Sequence, residues 1–93
     1  MSDQLEEYRA EIDALDIELI DVLARRFDVV RKVGELKAQN DISVVQAERA
    51  QAVKDRAARM GLSKGLNDQF VRKIYDLMID YAHALEHDIL DHQ

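Results

Sequence analysis

The sequence predicts an all-α protein of three helices, on three observations. Its 93 residues contain no proline and only three glycines, so helix breakers are scarce. Apolar side chains recur every three or four positions across residues 5–38 and again across residues 70–89, which is the spacing of a helix face. Short polar stretches at residues 40–43 and 62–65 divide the chain between these runs.

The first helix is expected from near Ser2 or Asp3, either of which can cap, to about Gln39, with Glu6 and Glu7 suited to the positive end of its dipole. Gly34 is its weak point, costing on the order of 1 kcal/mol against alanine, and marks a possible close approach of another backbone. Such a helix is about 50 Å long at 1.5 Å per residue, whereas a compact chain of this size has a radius of gyration of about 12 Å. It therefore projects beyond its own fold. An intertwined homodimer is the simplest cover for the stripe along that projection.

The second helix is expected from Val45 or Gln46 to Arg59, with a thin apolar face of mostly small residues (Ala47, Ala50, Val53, Ala57 and Met60) and with Gly61 as a left-handed cap. Asn67 or Ser63 caps the third helix, over residues 67–90. Its apolar arc, from Phe70 and Val71 to Leu85 and Ile89, is wide enough to face a bundle interior.

Composition bounds the function. The chain makes one domain over residues 1–93, and a domain of this length buries only about 60 to 65% of its unfolded surface alone, so self-association would help it. With 47% hydrophobic and 34% charged residues it reads as soluble, without a run of the roughly 18 apolar residues a membrane span needs. The acidic start lacks a signal-peptide pattern and there is no cysteine, so a cytoplasmic protein without disulfides or thiolate metal sites is expected. A net charge of −6 opposes nucleic acid and anionic membrane as partners, although a local basic pocket could still draw a small anion.

Two cations stand on the first helix where core residues belong. With Arg26 set to zero at about 100° per residue, Ile12, Leu15, Leu19, Val22, Leu23, Val30 and Val33 fall within roughly 60° of it, and Lys37 lies at about 20° and about 16 Å along the axis. A buried cation without a partner costs several kcal/mol, so each either snorkels outward, pairs with an internal acid, or awaits an anionic ligand. Arg49 supplies a third cation early in the second helix. Arg9 lies about 25 Å from Arg26 along the same helix, too far to share a small ligand within one chain but within reach in an antiparallel dimer.

Glu86 is the matching anomaly on the third helix, an acid inside the apolar arc. It is either an internal salt bridge to Arg26 or Lys37 or a carboxyl group in a basic pocket. His83 and His87 have the i, i+4 spacing of a metal pair but fall on the polar side of the helix, where a solvated face is the plainer reading, and His92 is terminal. Arg25 with Arg26, and Arg31 with Lys32, look like a basic run, but the intervening Asp21, Asp28 and Glu35 make surface i, i+3 and i, i+4 pairs the plainer reading. No glycine-rich phosphate loop, nucleophile elbow or dinucleotide fingerprint is present, so neither metal nor cofactor is expected.

These residues resemble a family, the small all-helical chorismate mutases with the related isochorismate pyruvate lyases. The resemblance covers essentially the whole chain. It is carried by Arg9, IDALD at 12–16, LARR at 23–26, VG at 33–34, Lys37 and ERA at 48–50. It implies an intertwined dimer with two sites, each using one arginine of the partner chain. It also implies that Arg26 and the partner's Arg9 clamp the two carboxylates of chorismate, that Lys37 and Glu86 flank the ether oxygen of the enolpyruvyl group, and that Arg49 adds positive charge. The implied substrate-binding set is completed by Gln46, Glu48 and Ala82.

Four positions depart from the family pattern. Glu86 stands where many mutases have glutamine, Gln46 and Ala50 replace acids that hold the ring hydroxyl, and Ala82 stands where serine is common. The resemblance therefore implies a chorismate mutase reaction with two alternatives, isochorismate cleavage and rearrangement of 4-amino-4-deoxychorismate. A non-catalytic dimerisation or regulatory module is the reading from another class.

Overall fold

A computed structural model describes residues 2–93 as three helices, α1 Ser2–Gln39, α2 Ala47–Ser63 and α3 Asp68–Asp91. Asp3 sits in the first turn of α1 rather than ahead of it, and the residue capping that helix falls outside the described residues. α1 ends where the polar stretch begins. Asp41 takes a left-handed backbone (φ 55°), Ile42 N donates to Lys37 O at 2.9 Å, and Asn40 Nδ2 caps Leu36 O at 2.8 Å.

α2 differs from expectation at its end. It runs past Gly61 to Ser63, and Gly65 (φ 84°) is the left-handed residue, with Gly65 N donating to Leu62 O and Leu66 N to Gly61 O. Gly61 serves packing instead. A β-carbon there would stand 2.7 Å from Val71 Cγ2, so only glycine lets α3 cross this closely. α3 begins as expected, with Asn67 Oδ1 accepting from Phe70 N at 2.9 Å.

α3 is the middle layer. It packs on α1 along one side and on α2 along the other, whereas α1 and α2 do not pack against each other. At α1 the close approach expected of Gly34 is made by Glu86, whose Cγ and Cα would lie 3.1 and 3.3 Å from a β-carbon at that glycine. Phe27 meets Tyr81 edge-on with ring centroids 4.8 Å apart. Lys54–Asp76 (2.9 Å) and Arg72–Asp55 (2.7 Å) link α2 to α3 along the rim.

The core is thin. Among the described residues the buried apolar side chains are Phe27, Val44, Ala57, Ala58 and Val71, and only Phe27 is large. The molecule is long, with a radius of gyration of 17.0 Å and a greatest extent of 59 Å. Much of the α1 stripe is uncovered, with Leu5, Tyr8, Ile12, Leu15, Leu19 and Val22 all exposed, Leu15 at 61%. No helix is long and apolar enough to cross a membrane among the described residues.

Candidate functional site

Because α1 and α2 are held apart by α3, a cleft of about 160 Å³ opens between the three helices. α1 contributes Arg26, Val30 and Lys37 to it, α2 with its preceding turn contributes Gln46, Arg49, Ala50 and Val53, and α3 contributes Ile79, Ala82, His83 and Glu86. Val44 closes it from the connecting segment. Of the predicted site residues, Arg26, Lys37, Gln46, Arg49, Ala82 and Glu86 thus converge. Glu48 does not line the cleft; it is exposed in the first turn of α2. Arg9 lies on the exposed part of α1, paired with Glu6 at 3.0 Å, outside its own chain's cleft.

The two misplaced cations of α1 have different solutions. Lys37 finds an internal acid, with its Nζ 2.8 Å from Glu86 Oε1 and donating to Val44 O at 2.9 Å. The pair is well enclosed, the side chains being 16% and 6% exposed. Its approach is ionic rather than a well-angled hydrogen bond, so Glu86 Oε1 stands as a buried acceptor with no hydrogen-bond partner. Taking such a pair out of water is offset only when further groups satisfy both charges.

Arg26 has no acid. Its guanidinium carbon lies 5.6 Å from the Phe27 ring centre and 5.8 Å from that of Tyr75, which fixes the side chain by cation–π contact. One of its nitrogens, Nη1, is buried without a hydrogen-bond partner among the described residues. An unmet buried charged donor is costly, and an anion in the cleft would satisfy it. The arrangement can therefore hold a small multivalent anion between Arg26, Lys37 and Arg49 with one carboxyl group beside it.

His83 corrects the sequence reading, which placed it on a solvated face. It is partly buried and lines the cleft. The cleft lies at the border of α3's apolar arc, on Glu86's side, and His83 is only about 60° around the helix from Glu86. His87 is exposed, as expected, and His92 closes the end of α3, its Nδ1 2.7 Å from Asp88 O. That backbone contact, with the Asp88 carboxylate nearby, raises the His92 pKa. Arg25–Asp21 and Arg31–Asp28 form the expected surface pairs, at 3.0 and 3.1 Å.

An all-helical chain with a cationic cleft holding one buried carboxyl group defines a class of small anion-handling helical proteins. The chain belongs to the type II chorismate mutase family, a family of isomerases, whose sequence profile matches residues 8–87. It is similar to the 4-amino-4-deoxychorismate mutase of Streptomyces venezuelae, with 38% identity over 82% of this chain and 74% of that protein. A second protein of that name, from Streptomyces pristinaespiralis, is 33% identical over 91% of this chain and 66% of its own length. The chorismate mutase of Methanocaldococcus jannaschii is 26% identical over 98% of this chain and 92% of that one.

Proposed function

We propose that this chain, as a single domain, is a cytoplasmic homodimeric mutase that rearranges chorismate to prephenate. The observation that carries this reading is the unpartnered Nη1 of Arg26, buried in a cleft whose other charges are Lys37, Arg49 and Glu86. In the reaction the ether C–O bond breaks and a C–C bond forms within one molecule, with no proton or electron supplied. The chain's task is then to hold a folded conformer and to stabilise negative charge developing on the ether oxygen.

Arg26 suits a carboxylate because a guanidinium can donate two parallel hydrogen bonds. The partner's Arg9 takes the second carboxylate, Lys37 and Glu86 lie at the ether oxygen, and Arg49 adds field. Glu86 can donate to that oxygen only while it carries a proton. Gln46 and Ala82 complete the cleft wall, with Glu48 outside it.

Two features support a second copy as the cover of α1. The first is the uncovered apolar stripe. The second is charge: residues 1–24 hold eight of the 19 acids and one of the 13 bases, leaving the rest of the chain slightly basic. A second hollow of about 220 Å³ is lined by Arg26, Arg49 and Arg56 without any acid, and among the described residues none of these three is in an ion pair. An antiparallel partner would bring an acidic half-helix to such a basic surface.

A second reading, rearrangement of 4-amino-4-deoxychorismate, is favoured by the names of the two Streptomyces relatives and by an α2 wall of Gln46 and Ala50 without an acid. Incubation with chorismate, isochorismate and 4-amino-4-deoxychorismate, with products identified by mass and absorbance, tests all of these. Prephenate is expected from chorismate. No turnover of any of the three refutes the enzyme reading and leaves the non-catalytic module.

A further inference from the structure

The hollow of about 220 Å³ shares Arg26, Arg49 and Val53 with the cleft, so the two spaces meet along one wall, and Arg56 belongs to the hollow alone. Tyr75 also lines the hollow and not the cleft. The Arg26 guanidinium carbon lies 5.8 Å from the Tyr75 ring centre, so this cation reaches the hollow side of the wall. Three guanidinium groups gathered without an acid repel one another, and Arg26 Nη1 has no hydrogen-bond partner among the described residues. The mutase reading uses Arg26 and Arg49 from the cleft side and leaves Arg56 without a task. The hollow therefore calls for an anion other than the ligand.

Helix direction shows where that anion comes from. The contacts of α1 with α3 advance together, from Phe27 on Tyr81 to Gly34 on Glu86. Those of α2 with α3 run oppositely, from Lys54 on Asp76 to Gly61 on Val71. α2 is thus antiparallel to α1, and a partner's α1 laid antiparallel to α1 runs in the same sense as α2. Arg56 follows Arg49 by about 10.5 Å along α2 and only about 20° around it, and Asp16 follows Arg9 by the same interval on α1. When the partner's Arg9 reaches the cleft beside Arg49, the partner's Asp16 arrives level with Arg56. Asp13 stops about 4.5 Å short, and Glu11 and Glu18 point away, at about 160° and about 180° from Arg9. Asp16 is exposed and in no ion pair among the described residues.

We infer that the partner's Asp16 occupies the arginine hollow, paired with Arg56, and that this ion pair sets the register that delivers the partner's Arg9 to the cleft. This rests on the dimeric mutase reading above. An apolar stripe that repeats every three or four residues fits a partner almost equally well after a slip of one turn. Charge breaks that degeneracy, because one offset alone brings Arg9 to the cleft and Asp16 to Arg56 together. The pair occurs twice in a two-fold dimer, so each substitution in it acts twice.

The test is a double-mutant cycle on the dimer dissociation constant, measured by sedimentation for the wild type, Asp16→Asn, Arg56→Gln and the two combined. Circular dichroism checks that each variant keeps its helical content. Each single substitution is expected to weaken the dimer by about tenfold to a hundredfold, and the combination to weaken it no further than the stronger single. Glu18→Gln removes the same charge from the opposite side of α1 and should leave the dimer unchanged. At concentrations where every variant is dimeric, kcat/KM should still fall in Asp16→Asn, with Arg9 no longer held in register, and recover in part in Asp16→Glu. Losses that multiply in the combined variant, or an Asp16→Asn that behaves like Glu18→Gln, overturn the pairing while the dimer and mutase readings stand. An unchanged kcat/KM in dimeric Asp16→Asn overturns its role in register. A monomeric wild type overturns the dimer reading and this inference together, whereas a dimeric wild type without turnover overturns the mutase reading and leaves the cycle to decide the pairing.

Discussion

The two halves of α1 carry one continuous apolar stripe and meet opposite fates. From Arg26 onward the helix packs on α3, where Phe27 is buried, Gly34 admits Glu86 and Lys37 is paired, with Val33 of the stripe left exposed. Over residues 5–22 the same periodicity faces nothing within the chain. Helical spacing therefore tells which side chains need a cover, but not whether the cover is supplied by the same chain. The polar content of the halves differs too, with the covered half holding the cleft cations and the uncovered half most of its acids on one surface.

The largest expected effect lies in the covered half. Arg26→Ala should lower kcat/KM by about 10²- to 10³-fold with the helical content kept, since it removes the cleft cation whose buried Nη1 has no hydrogen-bond partner among the described residues. If activity survives, the contrast between the halves has no bearing on catalysis. Leu15→Glu in the uncovered half should halve the mass in sedimentation, because burying a charge in an apolar interface is prohibitive, and activity should fall with the loss of the partner's Arg9. A variant that keeps the wild-type mass would show that this stripe is not the interface.

Arg9→Ala sharpens the comparison further. It should cost about 10²-fold in kcat/KM at unchanged mass, since among the described residues Arg9 pairs with Glu6 alone, at the exposed surface. Refolding Arg9→Ala together with Arg26→Ala should restore up to about a quarter of wild-type activity, because half the dimers are mixed and each mixed dimer has one intact site. Failure to complement would place Arg9 outside the site. A smaller change is expected from Glu86→Gln. The amide carries a hydrogen-bond donor at all times, so kcat/KM on chorismate should be kept or raised, and a large loss would place this side chain away from the ether oxygen.

The smallest effect belongs to the rim far from this contrast. The Arg72 guanidinium, and then the Gln51 amide, hold the Asp55 carboxyl below its ordinary value of 3.8. Its contribution to stability is thus present above that value and lost as pH falls through the lower folded-state pKa. Asp55→Asn should melt slightly below the wild type at pH 7, with the difference closing below about pH 4. A difference independent of pH would mean that the contact acts through packing alone.

Most of the fold was legible from local chemistry. Scarce breakers set three helices, Asn67 marked the start of α3, and Gly34 marked the close approach that Glu86 makes. Gly61 was misleading because a glycine needed for backbone conformation and one needed for proximity look alike in sequence; Val71, the reason for it, lies ten residues away on another helix. In the site, Arg26, Lys37, Arg49 and Glu86 stood out as charges on or beside apolar faces. His83 did not, because a residue at the border of an arc is assigned by where the neighbouring helix sits, and helical angles alone carry no information on that. Glu48 shows the reverse, a position inside a motif that turns away from the cleft.

The separation of α1 from α2 by α3 has one more consequence. With no direct packing between the outer helices, the width of the slot is gauged by the side chains that α3 presents, Ile79 and Ala82 among them. A bulkier residue at Ala82 would act like a thicker shim, narrowing the opening for the ring while leaving every cation where it is. Ligand size and ligand charge are in this way adjusted by separate residues, so this architecture can change what it admits without rebuilding what it grips.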